Sequence, residues 1–144
     1  VDEVRTFLAA KVGEAVAAGV HPESILVDPG PDFTKTPAQT VEVLRHLADL
    51  DPDGLPALLA ISRKDFIGAL TATRPKERLA GTLAAVAAVG SGTGVILRVH
   101  DVGEVRNFLT VLDVLRSNDP VDPDLRLADE LRWAAGRPDG TVAT

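Results

Sequence analysis

Apolar residues recur along this chain in two patterns, one spaced like a helix and one forming short continuous runs. Residues 1–20 carry apolar side chains at helical spacing and predict an amphipathic helix that Gly19 can end. Continuous apolar runs predict three buried strands, at Ile25–Val27, Ala57–Ile61 and Val95–Val99. The apolar stripe of the first helix consists of Val4, Phe7, Leu8, Val12, Ala15 and Val16.

A second helix is predicted between the first two strands. Thr36 is a suitable N-cap, and Pro37 fits the first helical position because it has no amide hydrogen to lose. The apolar residues of this segment are Val41, Val43, Leu44, Leu47 and Leu50.

Helical patterns also follow the second and third strands. A short helix is predicted to begin near Lys64 or Asp65, and an alanine-rich helix to end near Gly90. Residues 101–117 predict a further helix, and an amphipathic stretch predicts a last one at Leu125–Ala135. The inward face of the 101–117 helix consists of Val102, Val105, Phe108, Leu109, Leu112 and Leu115.

The order of these elements predicts an α/β fold. Strands that are apolar throughout and alternate with helices are typical of a parallel sheet with helical crossovers. Three strands are too few for a sheet covered by this many helices, so we expect the chain to form part of a larger parallel α/β structure.

Composition narrows the possible functions. A net charge of −6 and an aromatic content of 3% argue against nucleic acid as a partner. No apolar run reaches the roughly 20 residues that span a bilayer, so we expect no membrane segment. The chain has no cysteine, which fits a reducing, cytoplasmic location.

Polar side chains are concentrated where each predicted strand ends. In parallel α/β folds, the carboxyl ends of the strands form the edge where ligands bind. Several cations at one edge of an acidic chain favour an anionic group such as phosphate or pyrophosphate, and a strand-end carboxylate suits the amino-pyrimidine edge of a heterocycle. These residues are Asp28, Phe33 and Lys35 after the first strand, Ser62 to Asp65 after the second, and Arg98, His100 and Asp101 after the third.

Each of these residues also has an ordinary structural interpretation. Asp28 precedes Pro29-Gly30 and fits a turn, and Lys64 fits a solvated position at the start of a helix. Arg98 fits a surface ion pair with Asp101, and a lone histidine such as His100 is more often structural than catalytic.

Four stretches taken together resemble one known family. "ILVDPGPDFTKT", "PALLAISRKDFIG", "ERLAGTLAA" and "ILRVHDV", in this order, resemble the C-terminal half of dihydropteroate synthase. The resemblance implies a (β/α)₈ TIM barrel, with its C-terminal half at residues 1–117 and a tail carrying one short helix at residues 118–144. It also implies transfer of a pterin from 6-hydroxymethyl-7,8-dihydropterin pyrophosphate to p-aminobenzoate, in folate biosynthesis.

The resemblance also implies roles for single residues. Asp28 and Lys64 would hold the pterin ring, and Arg98 and His100 the pyrophosphate. Phe33 would flank p-aminobenzoate. The family's magnesium would be bound by a residue outside this chain.

Two departures from the family pattern keep other functions open. Members commonly read D-P-G-x-G-F-G-K where this chain has Asp32 and Thr34 at the last two of these glycines, and a small polar residue where this chain has Asp65. Two extra carboxylates beside an anionic co-substrate favour, as an alternative, a pterin-binding paralogue without synthase activity. A methyltetrahydrofolate-type methyltransferase and a non-catalytic assembly fragment are further alternatives, although the former would not need Arg98 and His100.

The alanine-rich helix predicts a homodimer. Its face with Leu79, Leu83 and Val86 is suited to burial, but its other face has small uncharged residues where a solvated helix normally carries charge. The late helices of the resembling family form a two-fold dimer, which leads to the same expectation. The alternative is that the tail helix covers this face.

Overall fold

The protein is described here by a computed structural model, in which residues 1–50, 54–90 and 94–132 are described. The five α-helices of the described residues are α1 (Asp2–Ala17), α2 (Pro37–Arg45), α3 (Asp65–Thr71), α4 (Leu79–Val89) and α5 (Val102–Arg116). The strands of the same residues are β1 (Ala57–Leu59) and β2 (Val95–Leu97). Single 3-10 turns lie at Pro22–Ser24, Leu47–Asp49, Pro75–Glu77 and Asp129–Leu131.

The strands are parallel, as the sequence predicts. β1 and β2 pair in register from Ala57 opposite Val95 to Leu59 opposite Leu97. The predicted strand Ile25–Val27 is reduced to one parallel bridge between Val27 and Ala57. Both paired strands are also shorter than predicted, because the backbone leaves the ladder before Ile61 and Val99 and turns towards the next helix.

The start of α2 matches its prediction in detail. The Thr36 hydroxyl accepts from the backbone N–H of Gln39, and the Gln39 side chain accepts from the backbone N–H of Thr36. This reciprocal capping satisfies two donors that a helix start otherwise leaves without partners. Pro37 occupies the first turn, as expected.

The core lies between the two strands and the helices that follow them. Its buried apolar side chains are Leu59, Ile61, Val86 and Val105. Two hydroxyls, of Thr40 and Thr82, are fully buried beside it. Both are hydrogen-bonded, Thr40 to Asp32 and Thr82 to the carbonyl of Arg78, so their burial carries no unsatisfied polar group.

The predicted faces of two helices need correction. The helix α1 has no buried residue, and Phe7 of its predicted stripe is exposed, because the described residues cover this face only in part. Val102 and Leu115, predicted to face inward from α5, are also exposed, and Val105 is the buried residue of that helix. The inward face is therefore narrower than the pattern suggests.

The predicted tail helix Leu125–Ala135 is wrong for the part that the structure describes. Residues 125–132 contain one 3-10 turn, and Leu125, Leu127 and Leu131 are exposed. Residues 133–135 of the predicted helix lie outside the described residues. The described part of the tail therefore does not bury an apolar face against α4. None of the described helices is long and apolar enough to cross a membrane.

Candidate functional site

The carboxyl ends of β1 and β2 open into one pocket of about 880 Å³. Its basic side chains, Arg63, Lys64, Lys76 and Arg98, outnumber its two carboxylates, Asp32 and Asp65. In a chain of net charge −6, such a concentration of cations at one edge favours an anionic ligand. Five of the six site residues predicted from the sequence line this pocket: Phe33, Lys64, Asp65, Arg98 and His100.

Asp28, the sixth, lies in a neighbouring pocket. Its Oδ1 accepts from the backbone N–H of Gly30 at 2.8 Å. A bond from an Asp side chain to the amide two residues later is typical of a turn. It shares its pocket with Phe33 and Lys35, so the Phe33 side chain borders both pockets. The structure therefore does not bring Asp28 and Lys64 into the same pocket.

The loop between Val27 and α2 positions Phe33 against Lys64. Asp32 and Thr34 have φ values of 64° and 51°, a region that side-chain-bearing residues rarely adopt and that glycine adopts freely. The Lys64 Nζ lies 4.3 Å from the centre of the Phe33 ring, within cation–π range. An ammonium and an exposed aromatic face are thus held together at the rim of the pocket.

Asp32 fastens this loop to the start of α3. Its Oδ2 accepts from the backbone N–H groups of Asp65, at 2.5 Å, and Phe66, at 3.4 Å. Its Oδ1 accepts from the hydroxyl of the buried Thr40 at 3.1 Å. The carboxylate of Asp32 therefore joins two loops that are 33 residues apart in the sequence.

Asp101 pairs with Arg63 rather than with Arg98. Arg63 Nε donates to Asp101 Oδ2 at 3.0 Å, and Arg63 Nη2 donates to Oδ1 in a bidentate contact. Hydrogen bonding from Arg63 is the main cause that lowers the pKa of the Asp101 carboxyl from its ordinary value of 3.8. The expected alternative of an Arg98–Asp101 pair is wrong, and the Arg98 guanidinium has no ion pair among the described residues.

Asp65 lies at the pocket but is not free of partners. Its Oδ1 accepts from Arg78 Nη1 at 2.8 Å, although its side chain stays 84% exposed. Arg78 is largely buried and also donates to the carbonyl oxygens of Arg63 and Thr73. The guanidinium of Arg78 therefore supports the turn that carries Lys64.

The sequence of this chain matches a known protein family. The sequence profile described as pterin binding enzyme matches residues 1–100. The chain belongs to the pterin-binding enzyme family. The matched residues include all six of the predicted site residues, from Asp28 to His100.

Relatives of this chain carry the names dihydropteroate synthase and inactive dihydropteroate synthase 2. It is 42% identical over 116 residues to a dihydropteroate synthase of Synechocystis, covering 80% of this chain and 40% of the relative. It is 40% identical over 126 residues to "Inactive dihydropteroate synthase 2" of Mycobacterium tuberculosis, covering 88% of this chain and 39% of the relative. The chain thus spans about two fifths of the length of these relatives.

Solved structures of the same family share the fold of this chain. Dihydropteroate synthase of Xanthomonas albilineans with 4-aminobenzoic acid is 39% identical, with a TM-score of 0.76 over 83% of this chain and 44% of the solved chain. The Yersinia pestis enzyme in a sulfonamide drug complex is 31% identical, with a TM-score of 0.74 over 80% of this chain and 42% of the solved one. The expected barrel is therefore present here only in part.

The roles of four residues were missed by sequence reasoning. Asp32, Ser62, Arg63 and Arg78 each bond to a residue that lies far away in the sequence. For Asp32, the sequence did offer a signal. It occupies a position where family members commonly have glycine, and such a position often has a positive φ value. For the other three, the sequence offers only their nearness to strand ends, because the partner of a side chain depends on how the loops meet in space.

Proposed function

We propose that this chain supplies the pyrophosphate end of a pterin-binding site, in a barrel that condenses 6-hydroxymethyl-7,8-dihydropterin pyrophosphate with p-aminobenzoate in the cytoplasm. The observation that carries the proposal is the meeting of Lys64, Arg98 and His100 in one pocket at the carboxyl ends of two parallel strands. An anion of several charges matches this set of donors better than a neutral ligand does.

In this proposal, Arg98 and His100 bind the pyrophosphate group. The reaction breaks the bond between the pterin methylene carbon and the ester oxygen, and the electron pair leaves with pyrophosphate. N–H donors at the strand ends stabilise the charge that develops on that oxygen and so lower the barrier. The aryl amine then forms the new carbon–nitrogen bond and loses a proton.

Lys64 and Phe33 would contact the two organic partners. Lys64 lines the same pocket as Arg98 and His100, and its Nζ lies 4.3 Å from the centre of the Phe33 ring. Phe33 is 62% exposed and offers a flat apolar face on which p-aminobenzoate can pack. The Oδ1 atom of Asp28 accepts from Gly30 N–H, which leaves its Oδ2 atom able to accept from the pterin ring.

The family resemblance implies a magnesium ion bound by a residue outside this chain. The described ranges contain no group of three or more His, Cys, Asp or Glu side chains that could hold a metal ion. No step of the proposal runs through a metal.

A second candidate function is a pterin-binding paralogue without synthase activity. The 40% identity to a relative named inactive dihydropteroate synthase 2 favours it. Two carboxylates, Asp32 and Asp65, also line the pocket in which an anionic co-substrate would have to bind. Each would cost on the order of 1 kcal/mol of p-aminobenzoate affinity at a solvated site.

Titration calorimetry separates the two functions. We expect a pterin pyrophosphate analogue to bind the chain and Arg98→Ala to lose at least about 1.5 kcal/mol of affinity, the value of one charge-assisted hydrogen bond. Arg116→Ala, which removes a guanidinium far from the pocket, is the matched control. Binding of p-aminobenzoate to the analogue complex would support the synthase, and its absence would support the paralogue. Absence of analogue binding would contradict both.

A further inference from the structure

The hydroxyl of Ser62 is within hydrogen-bond distance of both the backbone amide and the imidazole ring of His100. The backbone N–H of His100 donates to Ser62 Oγ at 3.2 Å. The Nδ1 atom of the His100 ring lies 3.1 Å from the same oxygen. Ser62 is only 5% exposed, whereas the His100 side chain opens into the pocket.

Counting protons fixes the direction of the bond from the amide and favours one direction for the bond to the ring. A serine hydroxyl has one proton and two lone pairs, and a backbone N–H can only donate. One lone pair of Ser62 Oγ therefore accepts from His100 N–H, and the hydroxyl proton remains to be placed. Among the described residues, the amide and ring of His100 are the hydrogen-bond partners of this hydroxyl, and no buried polar side-chain atom lacks a partner. Nδ1 is the acceptor that the described residues offer to this proton, and we place the proton there.

A neutral imidazole that accepts at Nδ1 carries its own proton on Nε2. Nε2 is the ring nitrogen that Ser62 does not engage, in a side chain that lines the pocket beside Arg98 and Lys64. An anion in this pocket would therefore meet an N–H donor. With the other tautomer, it would meet a lone pair and be repelled.

The neighbouring residues hold this arrangement in place. Arg63 donates to Asp101, the residue after His100. Ser62 and Arg63 at one strand end are therefore hydrogen-bonded to His100 and Asp101 at the other, each pair 38 positions apart in the sequence. Arg63 has φ of 57°, and its backbone N–H donates to the buried Thr82 hydroxyl at 3.0 Å. The backbone around Ser62 is therefore fixed by contacts other than the one to the ring.

We propose that Ser62 is a positioning residue that fixes neutral His100 as the Nε2–H tautomer, so that its imidazole donates to an anionic group in the pocket. The identification of that group as pyrophosphate rests on the proposed function. The tautomer itself does not.

The tautomer can be read directly by nitrogen-15 NMR of the labelled chain. At about pH 8, well above the ordinary histidine pKa of about 6.5, we expect the His100 ring to show the Nε2–H pattern alone. Ser62→Ala should produce a mixture with the Nδ1–H form. Ser62→Cys, whose thiol is a weak donor, is expected to do the same and serves if the alanine variant does not fold. The rings of His21 and His46 are internal controls that should not change, and an unchanged His100 pattern in both variants would overturn the proposal.

Binding of inorganic pyrophosphate provides the second readout. We expect Ser62→Ala to weaken it about fivefold, the effect of one neutral hydrogen bond. In a His100→Ala background, Ser62→Ala should have no further effect, because Ser62 acts through the ring. An equal loss in both backgrounds would make Ser62 merely structural. A wild-type chain with the expected tautomer but no affinity for pyrophosphate would support the positioning role and contradict the proposed function instead.

Discussion

Charge at single residues decides what the pocket can accept. Lys64 and Arg98 favour an anion, whereas Asp32 and Asp65 oppose one. The carboxylate of Asp32 is engaged by two backbone amides and a hydroxyl, but that of Asp65 is mostly exposed and shares one guanidinium. Asp65 is therefore the carboxylate whose charge reaches an incoming ligand most directly.

Replacing Asp65 tests this difference. We expect Asp65→Ser to raise affinity for p-aminobenzoate about fivefold, because it removes a like charge worth on the order of 1 kcal/mol in a solvated site. Stability should change by less than about 1 kcal/mol, since the pair with Arg78 is exposed on one side. Calorimetry measures the affinity, and Asp129→Ser, which removes another exposed Arg-paired carboxylate, is the control. An unchanged affinity would mean that the ligand binds away from Asp65.

The pair between Arg63 and Asp101 predicts a dependence of stability on pH. The folded state lowers the pKa of Asp101, so it binds fewer protons than the unfolded chain near that pKa, and stability rises with pH there. The contribution is complete above the ordinary value of 3.8 and is lost as the pH falls below it. Urea unfolding across the acid range should show a shallower fall for Asp101→Asn than for the wild type. Parallel curves would contradict the role of the pair.

At the level of elements, α3 and α4 approach closely around Arg78. A Cβ atom added to Gly68 on α3 would overlap the Arg78 guanidinium, and one added to Gly81 on α4 would overlap the Ile67 side chain. Glycine at these positions is therefore required by packing rather than by backbone conformation. The close approach keeps Arg78 beneath the turn that carries Lys64.

Two glycine substitutions should consequently have opposite effects on stability. Gly68→Ala should destabilise the chain by about 1–3 kcal/mol, because Arg78 must leave a site with three acceptors. Gly13→Ala on α1 meets nothing within 4 Å and should stabilise by up to about 1 kcal/mol through helix propensity. Denaturant unfolding measures both, and a Gly68→Ala variant as stable as the wild type would show that Arg78 is free to move.

At the level of the whole molecule, the residues that the structure describes leave the outer face of α4 exposed. Ala80, Ala84 and Ala88 are exposed, and the described tail does not bury its leucines on them. The neighbouring helix α5 adds the exposed Val111, Val114 and Leu115. Such a surface is apolar over two adjacent helices, and we propose that a second copy of the chain covers it.

Sedimentation tests the dimer. We expect the wild-type chain to be dimeric and Ala84→Arg to be monomeric, because an isologous contact would bring each new charge against its own copy. Ala10→Arg on the exposed side of α1 is the matched control and should remain dimeric. A wild-type chain that stays monomeric at high micromolar concentration would contradict the prediction.

Local sequence patterns predicted the order of α1 to α5, the parallel strands and the strand ends that carry the polar residues. Periodicity and capping are local properties, so the pattern around Thr36 and the apolar run at Ala57 were sufficient. The lengths of the strands and the buried faces of α1 and α5 could not be predicted in this way. They depend on which strands and helices lie next to them in the fold.

The partners of the site residues could not be predicted from local patterns. Arg63 binds Asp101, Ser62 meets His100, and Asp32 reaches the start of α3, all across 33 to 38 positions of sequence. Arg63 and Asp32 both have left-handed backbone conformations at these contacts. The spacing of residues along the chain cannot predict these bonds. A hydrogen bond of about 3 Å depends on where two separate loops meet in space.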